Sequence, residues 1–242
     1  MRQIRSVLGP IFHVGFVAHH LVTFRHSHEI HKTLLQMDID KTDQRILDMK
    51  NFGAVFFTNW NLVIQTIYFS MAVWYDILNI FGLKSELKKG KLDRWKGFLF
   101  TSFVFPCSVF VSALFWSVYS INREWVLPEV CDEYVPEWLN HSVHTNVTVF
   151  LIIEVLITNQ LLPSFKSAFT ALTVLTIIYD LIFFVTYFTY GRWIYGLFHV
   201  FTWPERIFFI LFNYCFSIVI MKIGIAIENF KYTLRRTKIN KD

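Results

Sequence analysis

Two segments of the sequence place chemically capable side chains beside strongly apolar stretches. One is WLNHSVHTN (138–146), which carries two histidines and runs directly into VTVFLIIEVLI. At about 100° per residue, His141, His144 and Thr148 are expected to share one face of a helix. An imidazole on such a face can act as a general base, because its neutral form accepts a proton near neutral pH.

The other segment is FFTNWNLVIQTIYFSMAVWYD (56–76), and it contains a candidate nucleophile. Polar or small residues recur along it at helical spacing: Thr58, Asn61, Gln65, Ala72 and Asp76. Thr58 and Asp76 are eighteen residues apart, which corresponds to five turns at about 3.6 residues per turn. This stripe is expected to face the centre of a helix bundle. A threonine hydroxyl is a weak nucleophile unless a base removes its proton, so a partner for Thr58 must be sought.

Composition places both segments in a membrane. Of the 242 residues, 54% are hydrophobic and only 17% are charged, whereas soluble domains carry about 25% charged residues. The apolar residues fall in blocks of about 20, the length that crosses a bilayer. The sequence therefore predicts an all-α, multi-pass transmembrane bundle that forms a single integral membrane domain over 1–242. The predicted spans are 4–24, 52–83, 97–121, 136–158, 167–189 and 203–229.

The distribution of charge predicts the orientation of this bundle. Basic residues cluster at 84–96, in the C-terminal segment 231–242 and at Arg2 and Arg5, whereas 122–135 is acidic. The positive-inside rule then places both termini in the cytoplasm and the acidic loop on the other side. The five Lys and Arg residues in 25–51 run against this rule. Residence in the endoplasmic reticulum or the plasma membrane is expected.

The same charge pattern argues against several kinds of partner. The net charge of +5 comes from basic residues beside apolar blocks, so we expect no nucleic-acid binding. The three cysteines lie far apart and form no CxxC pair. Two neighbouring histidines are too few for zinc, which takes three or four protein ligands. The sequence predicts no metal and no cofactor.

Topology predicts that Thr58 and His144 lie at equal depth. Both of their spans enter from the acidic-loop side, and each residue lies six to eight positions into its span. At about 1.5 Å per residue, both lie roughly 10 Å below the same surface, where they could form a nucleophile–base pair. Polar membrane residues also hydrogen-bond across helices with no catalytic role. Glu154 lies about 15 Å along the axis from His144 and is expected not to orient it.

Four motifs at these positions resemble those of a known family. They are TNWNLVIQTIYF (58–69), FPCSVFVSALFW (105–116), NREWVLPE (122–129) and VPEWLNHSVHT (135–145). Their order and content are similar to the androgen-induced and androgen-dependent TFPI-regulating membrane proteins, multi-pass hydrolases of fatty acid esters of hydroxy fatty acids. The resemblance covers most of 54–197. It implies a lipid ester as substrate and the surrounding membrane lipids as the other partners.

The resemblance also implies roles for individual residues. Thr58 would be the nucleophile and His144 the histidine that activates it, while His141 would be structural or supporting. Three places depart from the family pattern: Ala54-Val55 replaces Trp-Lys, Val143 replaces Met, and Tyr195-Gly196 replaces Tyr-Pro. None of these changes removes a catalytic group, but an altered ester preference is expected.

An ester hydrolase also needs a donor for the oxyanion that forms on the carbonyl oxygen. The sequence offers the side-chain amides of Asn59, Asn61 and Asn140 as candidates and does not choose among them.

Two other functions use a different set of residues. A transporter, or a protein that conducts ions or protons, could line its path with Asp180, His199 and Glu154. A transmembrane haem protein could take axial ligands from His13, His20, His144 and His199. We find no repeated half of the kind transporters show, which disfavours the first alternative.

Overall fold

The computed structural model describes residues 2–38, 42–82 and 86–239, and side chains within 8–38, 42–82 and 90–237. This part of the chain is helical and contains no strand. The predicted orientation depends partly on groups that the structure does not describe. These are Lys84 and the side chains of Lys88, Lys89, Arg2 and Arg5.

Ten α-helices make up the described chain. They are α1 (Arg2–Leu35), α2 (Gln44–Phe52), α3 (Phe57–Ile80), α4 (Glu86–Leu99), α5 (Phe105–Ile121), α6 (Glu137–His141), α7 (Val147–Ile157), α8 (Phe165–Tyr190), α9 (Leu197–Val200) and α10 (Trp203–Ile239). Short π-helical segments join α4 to α5 (Phe100–Val104) and α6 to α7 (Ser142–Asn146). The helices on either side of each π-helical segment form one continuous rod.

The prediction of a multi-pass helical membrane protein is confirmed. Within the described residues, four helical stretches are long and apolar enough to cross a bilayer: Gly90–Ile121, Glu137–Ile157, Phe165–Tyr190 and Trp203–Thr237. Helices α1 and α3 have 34 and 24 residues and so have sufficient length. Their polar side chains lower their hydropathy, so six crossings stay a prediction.

The first helix extends beyond the predicted span of 4–24. Residues 25–35, which the sequence predicts as part of the loop 25–51, are helical, because α1 continues to Leu35. Within this extension Lys32 Nζ lies 3.0 Å from Glu29 Oε1, and Thr33 Oγ1 donates to the Glu29 carbonyl. The Lys32–Glu29 pair, three residues apart, adds a small stabilisation to the helix after its apolar face has ended. The last helix likewise runs to Ile239, ten residues beyond the predicted boundary.

The polar stripe of α3 faces the bundle interior, as its spacing predicts. Asn61, Gln65 and Ala72 are completely buried. The Gln65 amide donates to Ser108 Oγ on α5 and to the Val147 carbonyl on α7. These bonds tie three helices together where no water can reach the polar groups.

Away from the acidic loop, a buried charged cluster joins α1, α3 and α7. His13 Nδ1 lies 2.6 Å from Asp76 Oδ2, and His13 Nε2 lies 2.8 Å from Glu154 Oε2. The Tyr68 hydroxyl and the Gln160 amide both donate to the other Glu154 oxygen. Asp76 and Glu154 are thus interior hydrogen-bonding groups that pair helices, in agreement with the prediction that Glu154 does not orient His144.

Replacing His13 is expected to destabilise the protein strongly. In His13→Leu, the buried Glu154 and the partly buried Asp76 lose their shared partner, and breaking a buried ion pair typically costs about 3–5 kcal/mol of unfolding free energy. The melting temperature of the purified protein in detergent should fall by several degrees. The double variant His13→Leu/Glu154→Gln should recover part of this loss, because it removes one stranded charge.

The matched control is His28→Leu on the same helix, since His28 is exposed. Its melting temperature should stay close to that of the wild type. Equal stability of His13→Leu and His28→Leu would show that the buried cluster does not hold these helices together.

Candidate functional site

A large cavity opens at the end of the bundle that carries the acidic loop. Its volume is about 890 Å³, and residues of α1, α2, α3, α5, α8 and α10 line it. Ion pairs join the segments around it: Arg45 Nη1 lies 2.7 Å from Glu124 Oε2, and Arg192 Nη2 lies 2.6 Å from Asp48 Oδ2. The segments 25–51 and 122–135 therefore meet at one end of the bundle, as the predicted topology requires.

Thr58 lies in the first turn of α3, and a set of hydrogen bonds fixes that turn. The Asn59 amide donates to the Gly53 carbonyl at 2.7 Å, and the Trp60 indole donates to the Ala54 carbonyl at 2.8 Å. The Phe57 N–H donates to the Tyr195 hydroxyl at 3.2 Å. The start of the helix is thus held by side chains and by a distant loop, since its own first amides lack partners within the helix.

His144 lies in the middle of the π-helical segment Ser142–Asn146. Its ring stacks on Phe115 of α5, with centroids 3.5 Å apart and planes inclined by 7°. In this position Nε2 lies 3.2 Å from Thr58 Oγ1. The structure therefore brings together the hydroxyl and the imidazole that topology placed at equal depth, across 86 residues of sequence.

Asn140 sets the tautomer of His144. The ring Nδ1 lies 2.7 Å from Asn140 Oδ1 and 3.1 Å from the Asn140 carbonyl oxygen. Both neighbours are acceptors, so Nδ1 carries the proton and Nε2 is left with a lone pair toward Thr58. The Thr58 hydroxyl, the His144 imidazole and the Asn140 acceptor are arranged in the same order as the three side chains of Ser-His-Asp and Cys-His-Asn sites.

The other predicted site residues lie elsewhere. Asn61 does not line the cavity, and its side-chain oxygen accepts from Ser108 inside the bundle. His141 bonds to Thr145 Oγ1 at 3.0 Å and stacks on Trp116. Of the two histidines only His144 lines the cavity, although His141, His144 and Thr148 all contact α5, as their predicted shared face requires.

Two tyrosines that the sequence did not single out for chemistry lie beside Thr58. Tyr195 follows α8, and Tyr179 lies on α8; both line the cavity. Their hydroxyls are 3.1 Å apart, and the Tyr179 ring packs on Phe57 with centroids 4.8 Å apart. In the sequence, Tyr195 stands out only where Tyr195-Gly196 departs from the family's Tyr-Pro. No helical spacing connects either tyrosine to Thr58, because they lie far apart in the sequence.

Cys131 also lines the cavity but is not suited to act as a nucleophile. Burial of this acidic-loop cysteine raises its pKa to about 11. The side chain is therefore a neutral thiol at physiological pH, and the thiolate is the reactive form of cysteine.

The residues considered for transport or haem binding do not share one site. Asp180 and His199 line the cavity, whereas Glu154 belongs to the His13 cluster. The candidate haem ligand His20 bonds to Thr66, away from His144 beside Thr58. Among the described residues, no group of three or more His, Cys, Asp or Glu side chains could hold a metal ion.

Comparison with known proteins identifies relatives over most of the chain. A family model described as FAR-17a/AIG1-like protein matches residues 11–229. The human androgen-induced gene 1 protein is 32% identical over 192 residues, covering 75% of this chain and 79% of the relative. The human androgen-dependent TFPI-regulating protein is 30% identical over 181 residues, covering 73% and 76%. Its counterpart from Mesocricetus auratus is 28% identical over 195 residues, covering 80% and 84%. No solved structure matches the chain.

Proposed function

This chain belongs to the FAR-17a/AIG1-like protein family, and we propose that it is a membrane-embedded hydrolase of lipid esters. Thr58 is the nucleophile and His144 the general base. One observation carries the proposal: Thr58 Oγ1 and His144 Nε2 lie 3.2 Å apart in the wall of a large cavity. That distance lies at the long end of a hydrogen bond, which is common at a catalytic pair without bound substrate.

The first half of the reaction forms an acyl-enzyme. The Thr58 oxygen attacks the ester carbonyl carbon while its proton passes to His144 Nε2, and the carbonyl oxygen becomes an oxyanion. When the oxyanion collapses, the bond to the alcohol oxygen breaks and His144 returns the proton to that oxygen. Asn140 Oδ1 stabilises the imidazolium that exists between these two transfers, because it accepts from Nδ1.

The second half of the reaction restores the enzyme. Water attacks the acyl carbon and gives its proton to His144, and the bond between the acyl group and Thr58 breaks. His144 then returns the proton to Thr58. Water must therefore reach the site. Some of the residues that line the cavity at the acidic-loop end are exposed, such as His28 and His199, and water can enter there.

The cavity suits a substrate with long apolar chains. Its volume of about 890 Å³ lies near the upper limit of typical small-molecule sites, about 300–1,000 Å³. Aromatic side chains from several helices line it, among them Phe57, Phe110, Phe115 and Phe183. Fatty acid esters of hydroxy fatty acids, which the sequence resemblance implies, are the substrates we propose to test first.

Replacing the nucleophile should abolish hydrolysis. Thr58→Val keeps the shape of the side chain but removes the oxygen, so we expect kcat to fall about 10³-fold or more. His144→Ala should have an effect of the same order, since residues that act as a unit are not additive. Thr58→Ser should retain measurable activity. Hydrolysis of a fatty acid ester of a hydroxy fatty acid in detergent micelles measures kcat, and a fluorophosphonate probe reports modification of Thr58.

Thr66→Val is the matched control, because Thr66 lies on the same helix but bonds to His20, away from Thr58. Its activity and probe labelling should be unchanged. Full hydrolysis by folded Thr58→Val would refute the proposed mechanism.

Removing the acceptor behind His144 should slow the reaction without weakening substrate binding. In Asn140→Ala the imidazole loses Oδ1 but keeps the backbone carbonyl, so we expect kcat to fall about 10- to 100-fold. Asn140→Asp keeps an acceptor oxygen and should be more active than Asn140→Ala. KM should be similar in both variants.

His141→Ala serves as the control on the same helix and should retain wild-type kcat, because His141 does not line the cavity. An unchanged kcat in Asn140→Ala would show that Asn140 does not orient the base.

A further inference from the structure

The predicted amides are poorly placed to act as the oxyanion donor. Asn59 directs its amide nitrogen to the Gly53 carbonyl, and Asn140, whose oxygen faces His144, does not line the cavity. Asn61 lies inside the bundle and does not line the cavity. An ester hydrolase nevertheless needs a donor beside its nucleophile, because negative charge develops on the carbonyl oxygen in the transition state.

Two phenol groups lie at the start of the helix that carries Thr58. The Tyr195 hydroxyl accepts from the N–H of Phe57, the residue next to Thr58, at 3.2 Å. The Tyr179 and Tyr195 hydroxyls are 3.1 Å apart. Both side chains line the same cavity as Thr58 and His144.

Counting protons shows that this pair has one to spare. Each phenol carries one proton, and its oxygen can also accept. One phenolic proton forms the hydrogen bond between the two hydroxyls. The Phe57 N–H is itself a donor, so its bond occupies a lone pair of the Tyr195 oxygen and no phenolic proton. Among the residues that the structure describes, no acceptor for the second phenolic proton is found. A donor proton is therefore available on a pair whose Tyr195 hydroxyl contacts the N–H of Phe57, the residue next to Thr58.

We propose that the Tyr179–Tyr195 pair donates a hydrogen bond to the oxyanion, which makes it a further catalytic element of this site. The inference rests on the proposed hydrolase function. As Thr58 Oγ1 bonds to the carbonyl carbon, the electron pair of the C=O π bond moves to the oxygen, which then accepts the spare phenolic hydrogen bond. No proton is transferred to the oxyanion, and the bond weakens again when the C=O bond re-forms.

Local structure supports this assignment. The amino-terminal end of a helix favours negative charge, and the oxyanion would form beside the first turn of α3. The backbone at Gly196 fixes the neighbouring Tyr195: a Cβ at Gly196 would lie 2.6 Å from the Glu124 carbonyl oxygen. The Tyr195 segment is therefore packed directly against the acidic loop. A donor held in this way needs no reorganisation during the reaction.

Tyrosine-to-phenylalanine variants test the pair directly. Tyr195→Phe removes the hydroxyl bonded at the start of α3, and we expect kcat to fall about 100-fold; the double variant with Tyr179→Phe should lose about 10²- to 10³-fold. Tyr179→Phe alone should lose less, because Tyr195 keeps its position and its own proton. KM for the lipid ester should change little, since the donor acts on the transition state.

The affinity for a trifluoromethyl ketone inhibitor is a measurement that a purely structural role of the two tyrosines would not change. The inhibitor's adduct with Thr58 carries the same oxyanion, so its affinity should fall in parallel with kcat/KM across the three variants. Tyr187→Phe is the matched control, because Tyr187 lies on the same helix as Tyr179 but does not line the cavity. Both kcat and inhibitor affinity should be unchanged in this control.

The possible results separate the two proposals. If the wild type hydrolyses the ester through Thr58 and the folded double variant retains kcat within about threefold, the tyrosine assignment is wrong and the hydrolase stands. If the wild type shows no hydrolysis that depends on Thr58, both proposals fail. If the double variant does not fold, the two single variants decide the question. A kcat equal to that of the wild type in both single variants would overturn the assignment.

Discussion

The structure depends on the inability of lipid to solvate polar groups. Every polar side chain on a membrane helix must find a partner within the protein, and otherwise costs several kcal/mol. The buried polar residues of α1, α3 and α7 are therefore turned toward one another, as in the contacts of His13 with Asp76 and of Thr58 with His144. A hydroxyl and an imidazole that pair with each other inside a bilayer lie within hydrogen-bond distance, which is the geometry that a nucleophile and its base require.

This constraint produces two different polar centres. The one around His13 is closed by aromatic packing, and its imidazole bonds to carboxylates on both sides. The centre around Thr58 opens to a cavity with exposed residues among its lining. Gln65 and Ser108 separate them and bond to each other. The closed centre fixes the relative positions of the helices, and the open centre gains a rigid frame, which the proposed reaction needs because small displacements of reacting groups are costly.

The sequence predicts the features that depend on helical periodicity and on membrane depth. The inward stripe of α3 and the equal depth of Thr58 and His144 follow from these two rules, and the structure places those residues accordingly. It could not predict which amide faces the base, because Asn59, Asn61 and Asn140 differ only in local contacts. The sequence also could not predict the π-helical segment at Ser142–Asn146, which has no clear signature in residue spacing.

The π-helical segment contains one of the two histidines of the motif, and the two have different polar partners. Both rings stack on α5, His144 on Phe115 and His141 on the next residue, Trp116. The wider turn between Ser142 and Asn146 places only His144 against the cavity, with Asn140 behind its ring. His141 bonds instead to Thr145 within its own helix. Such insertions are frequent at functional sites because they re-aim one side chain while leaving the rest of the helix in its packing position. The backbone irregularity thus coincides with an imidazole that has a defined proton and a defined partner, and the proposed base depends on both of these.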